Sequence, residues 1–260
     1  MSIAARLLAC ALLLLPAAAA AHAPYLLPNV FDLTTRDHVT VTASFTEVFF
    51  ESEVVMKSDA YAVVDPRGRR TLLTPTYLSD VAVFEAPIPT PGTYRITTGA
   101  RVGRVAKAYF AGGKWAFLEE PGDPVPAGAT LVDMQSLTTA DVYVSRGAPD
   151  EAALAPTGKG LEFRAITHPS SIFIGQDAVF EALFEGKPVP NLAVEISRGD
   201  GRFGDGKPPA QTTTGADGRF TVRPARPGLF HIMSRYRVPP TPEVAAARSF
   251  TYALTFEATE

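Results

Sequence analysis

His38-Val39-Thr40-Val41-Thr42-Ala43-Ser44-Phe45-Thr46 alternates apolar and polar side chains. Val39, Val41, Ala43 and Phe45 share one face and His38, Thr40, Thr42 and Ser44 the other, which is the period of a half-buried strand. Similar runs, rich in Val, Thr, Phe and Tyr, recur at 60–64, 81–86, 93–98, 106–110, 141–145, 178–184, 192–197, 219–222, 229–238 and 249–258. No amphipathic helix of three turns competes with them. With 20 Gly and 23 Pro spaced between the runs, the pattern predicts an all-β chain of two immunoglobulin-like or transthyretin-like β-sandwiches, not an α/β layer fold.

Two segments share a local plan. Asp65-Pro66-Arg67-Gly68 reads as a hairpin turn, followed by Pro91-Gly92 at the entry to an aromatic strand; Ala216-Asp217-Gly218-Arg219-Phe220 and Pro227-Gly228 repeat the arrangement later. Pro-Gly combines a fixed φ with the freedom of glycine. Between the two, 112–130 is poorly periodic, and Glu119-Glu120-Pro121-Gly122-Asp123-Pro124 reads as a surface connection. A boundary near Thr157-Gly158-Lys159-Gly160 gives an N-terminal sandwich over 22–157 and a C-terminal, transthyretin-like one over 158–260.

Residues 1–21 read as a secretory signal peptide. Arg6 supplies the basic start, Leu7 to Leu15 an apolar run too short to span a bilayer, and the alanines ending at Ala21 the small-residue exit. The expected location is the periplasm of a Gram-negative cell. The only cysteine, Cys10, lies inside this segment, so the rest of the chain needs no disulfide. Leu7-Leu8-Ala9-Cys10 superficially resembles a lipoprotein box, but the apolar run continues past Cys10. Removing the segment lowers Lys+Arg from 24 to 23 against 27 Asp+Glu, a net of −4, which suggests neither a nucleic-acid nor a polybasic membrane partner. No later stretch is apolar enough for a transmembrane span.

Cleavage after Ala21 leaves an α-amino group and an imidazole on one residue, His22, and these nitrogens can chelate one transition metal. Cleavage after Ala19 exposes Ala20-Ala21-His22, suited to square-planar copper(II) or nickel(II). Signal peptidase sites also tolerate many residues after the cut, and on that account His22 is incidental. Affinity at a terminal chelate falls as the amine and imidazole protonate, between roughly pH 8 and pH 6.

Other ligand candidates follow. On strict alternation Glu47 joins the face of Ala43 and Phe45, so the strand ends there, bulges, or points a carboxylate inward, where a metal is one possible partner. Glu51 and Glu53 lie close by, and a charged loop is the other account. His38 opens a strand on its polar face. His168 precedes Pro169 and reads as extended, at a hairpin edge. His231 and Met233 share one face of a strand, a borderline and soft donor pair that could favour copper(I), with packing or exposure as the alternative. Arg198-Gly199-Asp200-Gly201-Arg202-Phe203-Gly204-Asp205-Gly206-Lys207 lacks the ligand spacing of a calcium loop and reads as a long hairpin loop.

The chain resembles a bacterial periplasmic family labelled nickel-uptake substrate-specific, otherwise of unknown function and grouped with periplasmic components of cobalt and nickel transport. The resemblance rests on Val142-Tyr143-Val144-Ser145-Arg146-Gly147-Ala148-Pro149, Pro156-Thr157-Gly158-Lys159-Gly160-Leu161-Glu162, Thr167-His168-Pro169, Gly186-Lys187-Pro188-Val189-Pro190-Asn191-Leu192, Asp217-Gly218-Arg219-Phe220, Pro227-Gly228-Leu229-Phe230 and the start His22-Ala23-Pro24-Tyr25-Leu26-Leu27-Pro28. It implies a role in metal uptake or delivery. Relatives often carry an acidic residue and Phe or Trp where this chain has Pro24 and Tyr25, which removes one carboxylate.

No Gly-x-Ser-x-Gly elbow, phosphate-binding glycine loop or His-Glu-x-x-His occurs, and no enzyme is expected. A copper monooxygenase with a terminal-histidine brace is the one enzyme class His22 could serve; it needs a second histidine in the same plane. The expected function is periplasmic binding of nickel, cobalt or copper through His22, with Glu47, His38, His168 and His231 as further candidates, and delivery to a membrane uptake transporter. The alternative is an envelope scaffold presenting its loops to a protein or carbohydrate.

Overall fold

A computed structural model describes residues 22–112, 114–118, 122–204 and 209–260. The expected signal segment, the 119–121 part of the connection and the 205–208 part of the Gly-rich loop lie outside the described residues.

The first half of the chain forms β1 (Ala23–Pro28), β2 (Asp32–Leu33), β3 (His38–Thr46), β4 (Val54–Val55), β5 (Ala62–Val64), β6 (Arg70–Leu72), β7 (Thr76–Tyr77), β8 (Ala82–Pro87), β9 (Gly92–Thr97), β10 (Arg101–Ala111), β11 (Lys114–Phe117) and β12 (Leu131–Arg146). The second half forms β13 (Leu161–Ala165), β14 (Ala178–Phe184), β15 (Lys187–Pro188), β16 (Ala193–Arg198), β17 (Ala210–Thr213), β18 (Arg219–Val222), β19 (Gly228–Val238) and β20 (Ala247–Ala258). Helical structure among the described residues is confined to short 3₁₀ turns. The chain is all-β, and its sheets pack as sandwiches.

Those sheets are not partitioned as two separate pairs. One sheet runs β17-β16-β19-β20-β12-β9-β5-β6, and parallel pairing of β12 with β20, from Met134↔Ala247 to Val142↔Thr255, joins the halves of the chain edge to edge. A sheet ordered β1-β3-β8-β7 covers one face of this central sheet, and one ordered β13-β14-β15, with β18 on β14, covers the other. The side chains sort accordingly. Val142, Val144, Met233 and Ala253 point into the core under the first sheet; Tyr143, Ile232, Tyr252 and Leu254 point into the core under the second.

Central strands covered on both faces lose the alternation of a half-buried strand. Every residue of 140–145, 230–234 and 249–256 is buried. In β20 the large residues Phe250, Tyr252, Leu254 and Phe256 fill one core, while the small residues Thr251, Ala253 and Thr255 let β1 pack closely on the opposite face. A polar cluster ties neighbouring strands of the central sheet: the Tyr252 hydroxyl on β20 donates to Asp141 Oδ2 on β12 at 2.8 Å, and Arg95 on β9 donates to the Ala155 carbonyl at 3.2 Å. Burial pushes the Asp141 carboxyl up, and the nearby Arg95 guanidinium opposes the shift.

Three local expectations change. Lys114–Phe117, inside the expected surface connection, pairs with β10 as a hairpin. The turn at 215–219 forms, with the Gly215 amide donating to the Arg219 carbonyl at 2.8 Å, but it makes no hairpin, because β17 belongs to the central sheet and β18 to the outer one. His168 sits not on a hairpin edge but at the N-cap of the 3₁₀ turn Pro169–Ser171. The Pro-Gly parallel does appear: Gly92 and Gly228 open β9 and β19 with φ of 126° and 130°, values that glycine adopts and L side chains rarely do.

Candidate functional site

The site forms where β1 begins and β3 ends. β1 carries Pro24 and Pro28, residues tolerated on an edge strand, and it is an edge of its sheet. Its first residue, Ala23, pairs with Thr46, which puts His22 over the loop that follows β3. β3 stops at Thr46, so Glu47 is exposed and is not an inward carboxylate. The loop then folds back: Glu53 Oε1 accepts from the Glu47 amide at 2.9 Å, and the Tyr25 and Ser52 hydroxyls are 2.7 Å apart. That leaves Glu53 Oε2 3.2 Å from His22 Nε2, with Glu47 Oε1 at 4.0 Å from the same nitrogen. Partial burial opposes ionisation of Glu53, but the Glu47 and Val48 amides, the Thr46 hydroxyl and the His22 ring together hold its carboxyl below the ordinary range.

Beneath β1 lies a cavity of about 90 Å³. Ala23, Thr46, Glu47 and Phe49 line it from the first half of the chain, and Glu195, Ser197, His231 and Met233 from β16 and β19. His231 is fully buried, and its Nε2–H donates to the Pro24 carbonyl at 2.9 Å. Its ring stacks on Phe49 with centroids 4.2 Å apart. Burial pushes its pKa down to about 4 against the favourable Pro24 contact, so the ring is neutral and Nδ1 holds the lone pair. The Gly-rich loop closes the neighbouring side. A Cβ on Gly199 would stand 2.6 Å from the Phe50 ring and 2.7 Å from Leu229, so only glycine lets the loop lie there. Arg198 and Asp200 pair with each other at 3.0 Å.

Of the five sequence candidates, the structure brings His22 and Glu47 together, and Glu47 and His231 line one cavity. His38 is exposed at the far end of β3, bonded to Asp37 at 2.9 Å. At the rise of a strand it is roughly 26 Å from Thr46. His168 has both nitrogens engaged: Nδ1 accepts from the Ser170 amide at 3.1 Å, and Nε2 donates to the Asp150 carbonyl at 3.0 Å beside Thr93 Oγ1 at 3.1 Å. Glu53, read from sequence as part of a charged loop, is the carboxylate closest to His22. Its only sequence signal is its place six residues after Glu47, the length of a loop that turns back on itself. Among the described residues, no group of three or more His, Cys, Asp or Glu side chains stands ready to hold a metal.

The family model of DUF4198, a domain of unknown function, matches residues 19–238, and the chain belongs to that family. No curated protein matches it. Among solved structures it is similar to the D0-D1 domain of Intimin, at 12% identity over 89% of this chain and 96% of that one, with a TM-score of 0.21. It is similar to a DUF4785 family protein from Legionella pneumophila at 12% identity, over 80% of this chain and 50% of that one, TM-score 0.24. A further likeness is to the adhesin InvE of Yersinia pseudotuberculosis, at 10% identity over 90% of this chain and 58% of that one, TM-score 0.21.

Proposed function

We propose that the protein binds a divalent transition metal, nickel, cobalt or copper, in the periplasm and passes it to a membrane uptake system. The observation that carries this reading is the contact of His22 Nε2 with Glu53 at 3.2 Å. A carboxylate on one imidazole nitrogen fixes the tautomer and orients the ring for ligation through the other. The other is Nδ1, the nitrogen able to close a chelate ring with the α-amino group of the same residue once the segment before His22 is removed. Glu53, and Glu47 behind it, then orient the ring and offset the charge of the ion. Amine and imidazole nitrogens beside carboxylates are a donor set that suits nickel, cobalt and copper(II). The resemblance to nickel-uptake proteins points the same way.

The test is the intact mass of the secreted protein together with calorimetric titration of nickel(II), cobalt(II) and copper(II), run in parallel on a chain with one extra residue ahead of His22. Tight one-to-one binding by a chain starting at His22, abolished by the extension, supports the reading; no binding in either form overturns it.

A second reading has its own observation. β10, β11 and the start of β12 expose Val102, Val105, Phe110, Phe117 and Leu131, and an apolar stretch of this kind suits a protein partner in an envelope scaffold. Unchanged metal affinity after replacement of His22, with the fold intact, favours it. No helix among the described residues is long and apolar enough to cross a membrane.

A further inference from the structure

The cavity beneath β1 holds a donor pair that the His22 chelate does not use. His231 and Met233 stand two residues apart on one face of β19, both buried and both lining the cavity. At that spacing their Cβ atoms are about 6–7 Å apart, a span across which an imidazole nitrogen and a thioether sulfur can converge on one ion. The His231 ring is already aligned by the Pro24 carbonyl on Nε2 and by Phe49 on its face, which is how ligating histidines are held. Nε2 is the ring nitrogen engaged by the Pro24 carbonyl, which makes Nδ1 the nitrogen left to bind. A volume of about 90 Å³ admits a single cation, and Ala23, Phe49 and Pro209 make part of its wall apolar. A thioether is a soft ligand, poorly matched to nickel(II) or cobalt(II) and well matched to copper(I).

We propose that this cavity is a copper(I) site with His231 Nδ1 and Met233 Sδ as its ligands. It goes beyond the His22 chelate and does not depend on it. The two neighbour each other through Glu47, which lines the cavity and stands 4.0 Å from His22 Nε2, but no His22 atom is needed to hold the ion.

Sulfur is the discriminating signature. After residue 21 the chain has no cysteine, and its methionines are Met56, Met134 and Met233. Met56 is sealed in the first core and Met134 in a small cluster beside β10. The experiment loads the secreted protein with copper(I) under anaerobic conditions against the competing chelator bicinchoninate and records the copper X-ray absorption spectrum. Expected are one copper(I) per chain and a copper–sulfur scattering path. The near-isosteric Met233→Leu should remove that path and weaken copper(I) binding roughly tenfold or more, while nickel(II) binding is unchanged. The N-terminally extended chain should keep its copper(I). A coordination shell of nitrogen and oxygen alone in the unmodified protein overturns the proposal, as does equal copper(I) affinity in Met233→Leu or loss of copper(I) on extension. If Met233→Leu does not fold, the spectrum of the unmodified protein decides. Failure of the extension to affect nickel(II) counts against the His22 chelate and leaves the copper(I) result standing.

Discussion

His231, fully buried, and His168, half-buried, both tie the two halves of the chain together, and they differ in how many nitrogens that task takes. His168 caps a 3₁₀ turn through Nδ1 and reaches Asp150 and Thr93 through Nε2. His231 ties β19 to β1 through Nε2 alone. A histidine that satisfies a turn as well as a neighbouring strand has nothing left for a ligand; one that joins strand to strand keeps a lone pair. The number of backbone groups that need a partner nearby separates a structural imidazole from one available to a metal.

The largest expected effect concerns His231 and acid. Its folded-state pKa of about 4 lies below the unfolded value of about 6.5, so the stability it contributes is present above pH 6.5 and is lost as pH falls towards 4. That loss amounts to about 3 kcal/mol. Urea unfolding at pH 7 and pH 4.5 should show a steeper decline for the unmodified protein than for His231→Gln; equal slopes would break the contrast with His168.

Next in size, Glu53→Gln should weaken nickel(II) binding by about 10–100-fold while the melting temperature barely moves, because Gln keeps the Oε1 acceptor that holds the Glu47 amide but loses the charge that orients the ring. An unchanged nickel isotherm would show that the His22–Glu53 contact serves the loop only. His168→Ala should cost roughly 1–2 kcal/mol through the lost cap and the unpaired Asp150 carbonyl, with no change in binding of any metal. A metal phenotype there would erase the distinction between the two histidines. His38→Ala, at an exposed strand start, should stay within about 0.5 kcal/mol in stability and leave metal binding untouched, as calorimetry and a thermal melt can show.

Much of the strand inventory was legible because alternation survives wherever one face meets solvent, as in β3 up to Ala43. β1 was hidden by Pro24 and Pro28, which argue against a strand unless it is known to be an edge. The shared central sheet was hidden for a different reason. Thr251, Ala253 and Thr255 look like a solvent face, and only their contact with β1 reveals that small side chains there serve close packing. At the site, His22, Glu47 and the His231–Met233 pair could each be named from sequence. Their convergence could not, since it depends on β1 crossing to a strand some two hundred positions later, a separation no local pattern records. The turn at Gly218 was readable as a turn, but whether the next strand folds back or changes sheets is decided by which edge is vacant.

The position of β20 has a temporal consequence. It is the last strand in chain order, yet it lies between β12 and β19 in the central sheet, and β1 rests on it. In a chain made from its N-terminus, the first strand can pair with β3 and rest on β12 early, but its seat is complete only when the last strand arrives. Such long-range pairing places the protein among slow-folding topologies. Until residue 247 and its successors arrive, one edge of β12 stays open to strands of other chains, so a holdase that shields that edge during synthesis should raise the yield of folded protein more than any stabilisation of the finished cores.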